Sequence, residues 1–314
     1  MLALLAFAAA LAFLLGYAVN QASTCAVTAA KLLLHDAQAG LTIGFALAAG
    51  TAGLVTLPLA WLMGSAGHLA PWSEVSAGLL CGAMLLGLGA VINDACLFGT
   101  LSRIGEGELR FLALPLGLAL GFVVVAQIPG LSSAPSRANP LAAAGPMGVA
   151  ALVLFAVLSV WAWRALQRGA TQRLHETAWP LGTTMVLFGL AGALLYALVP
   201  GWTYADAVRR AVGAGSAGMS SLAAALCAVS TLLGAVVSGL RSGRFHPRWP
   251  GLSGSARSLF GGMVMAVGAA LVPGGNDSLL FAALPALSPG GVVAYLIMTA
   301  TVLGLLAAVR RFSA

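Results

Sequence analysis

The stretch "VINDACLFGTLSRIGEGELRF" runs from Val91 to Phe111. Its first residues close a long apolar run, and another apolar run begins where it ends. Between them lie Asn93, Asp94 and Cys96, then a segment with helical character but too short to cross a bilayer. A membrane helix needs about 20 predominantly apolar residues. The segment after Cys96 has about half that, so the chain turns back before it has crossed. That single interruption decides how the rest of the sequence is read.

Composition sets the solvent. The chain has 314 residues, of which 60% are hydrophobic and only 7% charged, with a mean hydropathy of +0.99. Water-soluble domains carry about 25% charged residues, so a surface this poor in charge must face lipid. The expected fold class is an all-α polytopic membrane protein. Apolar spans are predicted near 1–19, 40–63, 72–92, 108–128, 147–166, 180–199, 217–240, 256–272 and 290–309. Residues 1–19 resemble a signal-peptide core but lack its basic leading region, and they are read as a retained first span.

Four gaps between spans are themselves apolar: 20–39, 93–107, 200–216 and 273–289. Each opens with small polar or turn-forming residues, as in "NQASTCAVTAAKLLL", "NDACLFGTL", "PGWTYADAVRRAV" and "PGGNDSLLFAAL". They are read as four short re-entrant helices. For "YADAVRR" a surface amphipathic helix is an equal alternative. "LGAVINDACLFGTL" echoes "VGAALVPGGNDSLLFAAL", which suggests a duplication. The predicted organisation is a first inverted repeat over 1–130, a linking loop and middle helix over 131–170, and a second inverted repeat over 171–314. Inverted repeats built around interrupted helices characterise transporters.

The net charge of +7 comes from arginine, with Lys31 the only lysine. On the predicted topology Lys31, Arg103, Arg110, Arg164, Arg168, Arg173, Arg241, Arg244, Arg248, Arg257, Arg310 and Arg311 share one face. Arg137, Arg209 and Arg210 occupy the other. The positive-inside rule makes the first face cytoplasmic, with the N-terminus outside and the C-terminus inside. No basic patch is interleaved with aromatics, so nucleic acid is not an expected partner; the lipid bilayer is.

The candidate pathway residues are Asn93, Asp94, Cys96, Cys25, Gly274, Gly275, Asn276 and Asp277. Helix starts expose unpaired N–H groups and the positive end of the helix dipole, which together form an anion site without a buried cation. Gly274 and Gly275 suit a close backbone approach or simply a turn. Cys25 and Cys96 stand at the starts of their short helices, whereas Cys81 and Cys227 lie within full spans as small apolar residues. Asp94 is read as a helix cap, and Asn276 as a cap with Asp277 in the first turn. A charged carboxylate facing the path would oppose an anion; proton coupling is one reconciliation. Gly78 with Gly82, and Gly262 with Ala266, are small-residue pairs suited to close helix packing. The four histidines suggest no catalytic set, the serines and threonines no hydrolase, and the cysteines no metal spacing. No enzyme activity, metal or cofactor is expected.

"GAVINDACLFGTLSRIGEGELRFLALPLGLALG" resembles the signature of the YeeE/YedE sulphur-transport family, as do "GYAVNQASTCAVTAA", "SGRFHPRWP" and "GGMVMAVGAALVPGGNDSLL". The resemblance covers nearly the whole chain. It implies an inner-membrane hourglass of nine spans and four short helices that imports thiosulfate or a related small sulphur-containing anion along central cysteines. It also implies a cytosolic sulphurtransferase as a partner. Cys25 and Cys96 match the family's first two cysteines. Asn276 stands where the third is expected, and Asp94 and Ala95 replace a glycine pair. A different cargo, such as a selenium compound, and a non-transporting scaffold or assembly factor remain as alternatives.

Overall fold

The computed structural model describes residues 2–64, 68–128, 135–168, 178–214, 221–272 and 274–313. Arg173, His175 and the start of the predicted 217–240 span lie outside the described residues. In lipid every backbone polar group must be satisfied within the chain, and helices do that here almost throughout. The first group is α1 (Leu2–Gln21), α2 (Ala26–Asp36), α3 (Gly40–Met63), α4 (Ala77–Asn93), α5 (Leu97–Gly105) and α6 (Ala113–Ala126). α7 (Pro146–Arg168) follows. Then come α8 (Leu181–Leu198), α9 (Tyr204–Ala211), α10 (Ser221–Arg241), α11 (Leu252–Leu271), α12 (Asn276–Ser278, continued by wider turns over Leu279–Ala283) and α13 (Pro289–Ser313). A two-residue antiparallel pairing joins Trp72–Ser73 to Ser136–Arg137.

Among the described residues nine helical stretches are long and apolar enough to cross a membrane, and each matches one predicted span. The protein is a multi-pass membrane protein. α7 shows the lipid-facing pattern most plainly. Only Gly148, Ala151, Phe155, Ser159 and Ala162 are buried, at helical spacing along one stripe, while Val149, Val153 and Val157 are exposed.

Two close helix pairs build the centre, α1 with α10 and α4 with α11. In the second, a Cβ on Gly82 would lie 3.0 Å from the Gly268 carbonyl oxygen, and one on Gly89 2.8 Å from that of Gly261. Backbones therefore touch at two points seven residues apart. The expected Gly78–Gly82 pair is half right, because nothing comes nearer a Cβ on Gly78 than 3.9 Å. Gly262 is crowded instead by Leu114 and Gly117 of α6. The short helices that follow α1, α4 and α11 start at buried residues, Cys25, Cys96 and Asn276.

Candidate functional site

All four short segments expected from the sequence are helical, and they begin alike. A long helix ends, a residue of positive φ interrupts the helical path, and a short helix starts. The interrupting residues are Ser23, Asp94, Gly201 and Gly274, with φ of 45°, 67°, 71° and 91°. In the first three cases the helix-starting residue stands two places on: Cys25, Cys96 and Thr203. In the fourth it is Gly275, immediately after.

Cys25 and Cys96, 71 residues apart, meet. The Cys96 amide donates to Cys25 Sγ at 3.4 Å, and the Ala26 amide donates to Cys96 Sγ at 3.4 Å. Each thiol thus satisfies an orphan donor at the start of the other's helix. Both residues are buried. A Cβ on Gly99 would come within 2.3 Å of Cys25 Sγ, so the first turn of α5 approaches that sulfur as closely as it does only because position 99 has no side chain. Asn93 pins the turn before α5, donating to the Ala95 carbonyl at 2.7 Å and to Thr100 Oγ1 at 3.0 Å.

The capping role expected of Asp94 is corrected. Asp94 ends α4 in the left-handed region and leaves the start of α5 to Cys96. Its carboxylate turns outward to Lys31 and, at 3.4 Å, to Arg110. Local competition decides this: Asp tolerates the left-handed region, and two cations wait on that side. From there an ion-pair network runs on. Arg110 and Arg103 meet Glu108, Arg103 and Arg244 meet Glu106, and Arg248 lies at 4.0 Å from Glu108. Burial pushes the Glu106 carboxyl above the ordinary glutamate range, against the pull of Arg103 and Arg244. Arg244 also donates to Asn20 Oδ1 at 2.8 Å, tying the end of α1 to this face.

The other two short helices close differently. Asp277 accepts the Ala205 amide at 3.3 Å with one oxygen and the Ser278 amide at 2.9 Å with the other. Asp206 Oδ2 accepts the hydroxyls of Thr203 at 2.9 Å and Ser278 at 3.0 Å, while Oδ1 pairs with Arg209 at 3.3 Å. The expected cap at Asn276 is also corrected: Gly275 takes that place and Asn276 is the first helical residue, buried. Gly274 and Gly275 are crowded by the protein's own Ser278, Asp277 and Leu97. The last of these belongs to α5, so the two junctions lie back to back. Phe98, Phe188 and Phe281 meet edge to face beside them, with centroids 4.8–5.6 Å apart.

A cavity of about 220 Å³ opens beside the first junction. Cys25 and Gly99 line it together with Ser23, Thr28 and Ser102, and so do Arg103 and Glu106 of the ion-pair network. Sequence reasoning did not single out Ser102, Thr203 or Ser278. Thr203 was legible as the first member of a Thr-x-x-Asp cap; Ser102 had no local signal. Among the described residues no His, Cys, Asp or Glu cluster has the makings of a metal site.

A family model described as sulphur transport matches residues 21–304. The chain is also similar to the "Probable transporter YedE" of Escherichia coli (strain K12), 31% identical over 118 residues. That alignment covers 34% of this chain and 29% of the relative's length.

Proposed function

The chain belongs to the sulphur-transport family, and on that premise we propose that it carries thiosulfate or a closely related small sulphur-containing anion inward across the membrane. One observation carries the reading: two helix starts converge on a pair of thiols that hold each other's amides, beside a cavity leading to the arginine-rich face. On this reading the four short helices are re-entrant, and 1–130 and 171–314 are repeats of opposite orientation linked through 131–170. The membrane is the inner membrane and the arginine-rich face is cytoplasmic, with the N-terminus outside and a sulphurtransferase as receiver inside.

The chemistry needs no covalent step. A thiol sulfur is a weak acceptor, so an arriving anion replaces it at the Cys96 and Ala26 amides at small cost. The displaced thiols then turn their S–H groups toward the anion. Helix dipoles favour negative charge at both starts. Asp277 does not oppose this, because both its oxygens already face amide N–H groups. On the outer approach Gly275 and Asn276 provide backbone and amide donors just after the turn at Gly274, whose own amide donates to the Val272 carbonyl, with Asn93 holding the turn before Cys96.

The test is uptake of sulphur-labelled thiosulfate into proteoliposomes. Wild type is expected to show saturable uptake that falls at least about tenfold in Cys96→Ala, the loss of one charge-assisted hydrogen bond. Absence of uptake by folded wild type would overturn the thiosulfate assignment. A second reading, another cargo on the same path, draws on Asn276 in place of a third cysteine; uptake of selenium analogues but not thiosulfate would select it.

A further inference from the structure

We propose that the cavity between α2 and α5 is a binding subsite for a small divalent oxyanion, held by the Arg103 guanidinium and the Ser102 hydroxyl directly outside the Cys25 thiol. Three independent observations meet there. The first is size. At about 220 Å³ the cavity has room for several waters, each occupying about 30 Å³ of liquid volume, and so for one five-atom tetrahedral anion.

The second is an unfilled hydrogen bond. Ser102 is 2% exposed and lines the cavity, yet its Oγ has no partner among the described residues. Buried hydroxyls in folded proteins nearly always have one. Arg103 has spare donors on the same wall. Both of its ion pairs, to Glu108 at 2.9 Å and Glu106 at 3.7 Å, run through Nη1. Its Nε and Nη2 edge, the fork that grips an oxyanion with two parallel hydrogen bonds, has no protein acceptor among the described residues.

The third is charge. Lys31, Arg103, Arg110, Arg244 and Arg248 are joined in one network with Asp94, Glu106 and Glu108. Five cations face three carboxylates, an excess of two positive charges, and the network reaches the cavity wall through Arg103 and Glu106. A dianion neutralises that excess and a monoanion does not.

This inference rests on the transport reading of the same passage, and its test therefore reads binding rather than uptake. Equilibrium binding of sulphur-labelled thiosulfate is measured on the full chain in nanodiscs, at constant ionic strength set with chloride, and sulfate and phosphate are run as competitors. Wild type is expected to bind one anion per chain. Arg103→Gln weakens binding about tenfold or more, Arg103→Lys recovers part of it, and Ser102→Ala weakens it about fivefold, as loss of hydrogen bonds to a charged ligand requires. Ser102→Ala keeps the wild-type unfolding midpoint, since its hydroxyl holds nothing in the fold. Sulfate displaces the label; phosphate doing so equally keeps the subsite and widens it to divalent oxyanions at large. Binding left within twofold by both Arg103→Gln and Ser102→Ala, or no saturable binding, overturns the subsite whether or not uptake occurs. Binding that behaves as expected without any uptake leaves the subsite standing and removes the transport reading alone.

Discussion

The two junctions of short helices solve one problem with different chemistry. Each must satisfy helix-start amides deep in the molecule. The α2–α5 junction does so with two thiols at 3.4 Å. The α9–α12 junction does so with the Asp277 carboxylate, which accepts the Ala205 and Ser278 amides at 3.3 and 2.9 Å, and with the Thr203 hydroxyl, which accepts the Asp206 amide at 3.4 Å. Sulfur accepts weakly and exchanges its partner easily. A buried carboxylate that accepts amides does not give them up without leaving unsatisfied donors. The first junction is thus built to be opened by a passing ligand, and the second to hold the fold around it.

That contrast can be broken by substitution. Asp277→Leu strands the Ala205 and Ser278 amides and is expected to cost about 2–4 kcal/mol, read as a lowered denaturation midpoint of the purified protein. Cys25→Ala and Cys96→Ala each remove one weak acceptor and are expected to cost no more than about 1 kcal/mol while uptake collapses. Equal destabilisation at the two junctions would erase the distinction drawn here.

Acidity sharpens the comparison on the cavity side. The Glu106 carboxyl titrates above the ordinary glutamate range because it is buried, and the groups facing it are Arg103, Arg244, Glu108 and Arg248. A raised value in the folded state means that its contribution to stability is full at low pH and is lost as pH climbs through that value. Protonation also releases Arg103 and Arg244, raising the network's excess from two positive charges to three. Unfolding midpoints and thiosulfate affinity are therefore both expected to rise on acidification through that window. In Glu106→Gln both slopes disappear. The smallest effect is expected at Asp94→Asn. Its pairs with Lys31 and Arg110 are partly exposed, and such pairs contribute up to about 1 kcal/mol, so melting should barely move.

Much of this was legible in the residues. Hydropathy and length located the nine spans and the four short helices, because whether a segment lies in lipid is settled by its own side chains. The positions of Cys25 and Cys96 at helix starts followed from the turn formers before them. The arginine bias anticipated the face on which the ion-pair network formed. Asp94 was misjudged because an Asp before a helix is ordinarily its cap; Lys31 and Arg110, from two other segments, took its carboxylate instead.

What the sequence determined by itself, then, was the solvent, the nine long apolar helices and where the short helices start. All of these depend on a few neighbouring residues. Only the tertiary structure decided that Cys25 answers Cys96, that Asp277 serves a helix 72 residues away and that Ser102 faces a cavity with its hydroxyl unclaimed. Those pairings depend on how closely α4 approaches α11 and α1 approaches α10. That closeness comes from glycines set against the neighbouring helix's backbone, Gly82 and Gly89 of α4 against Gly268 and Gly261 of α11, and Gly16 of α1 and Gly234 of α10 against Thr231 and Phe13, a coincidence no local pattern records.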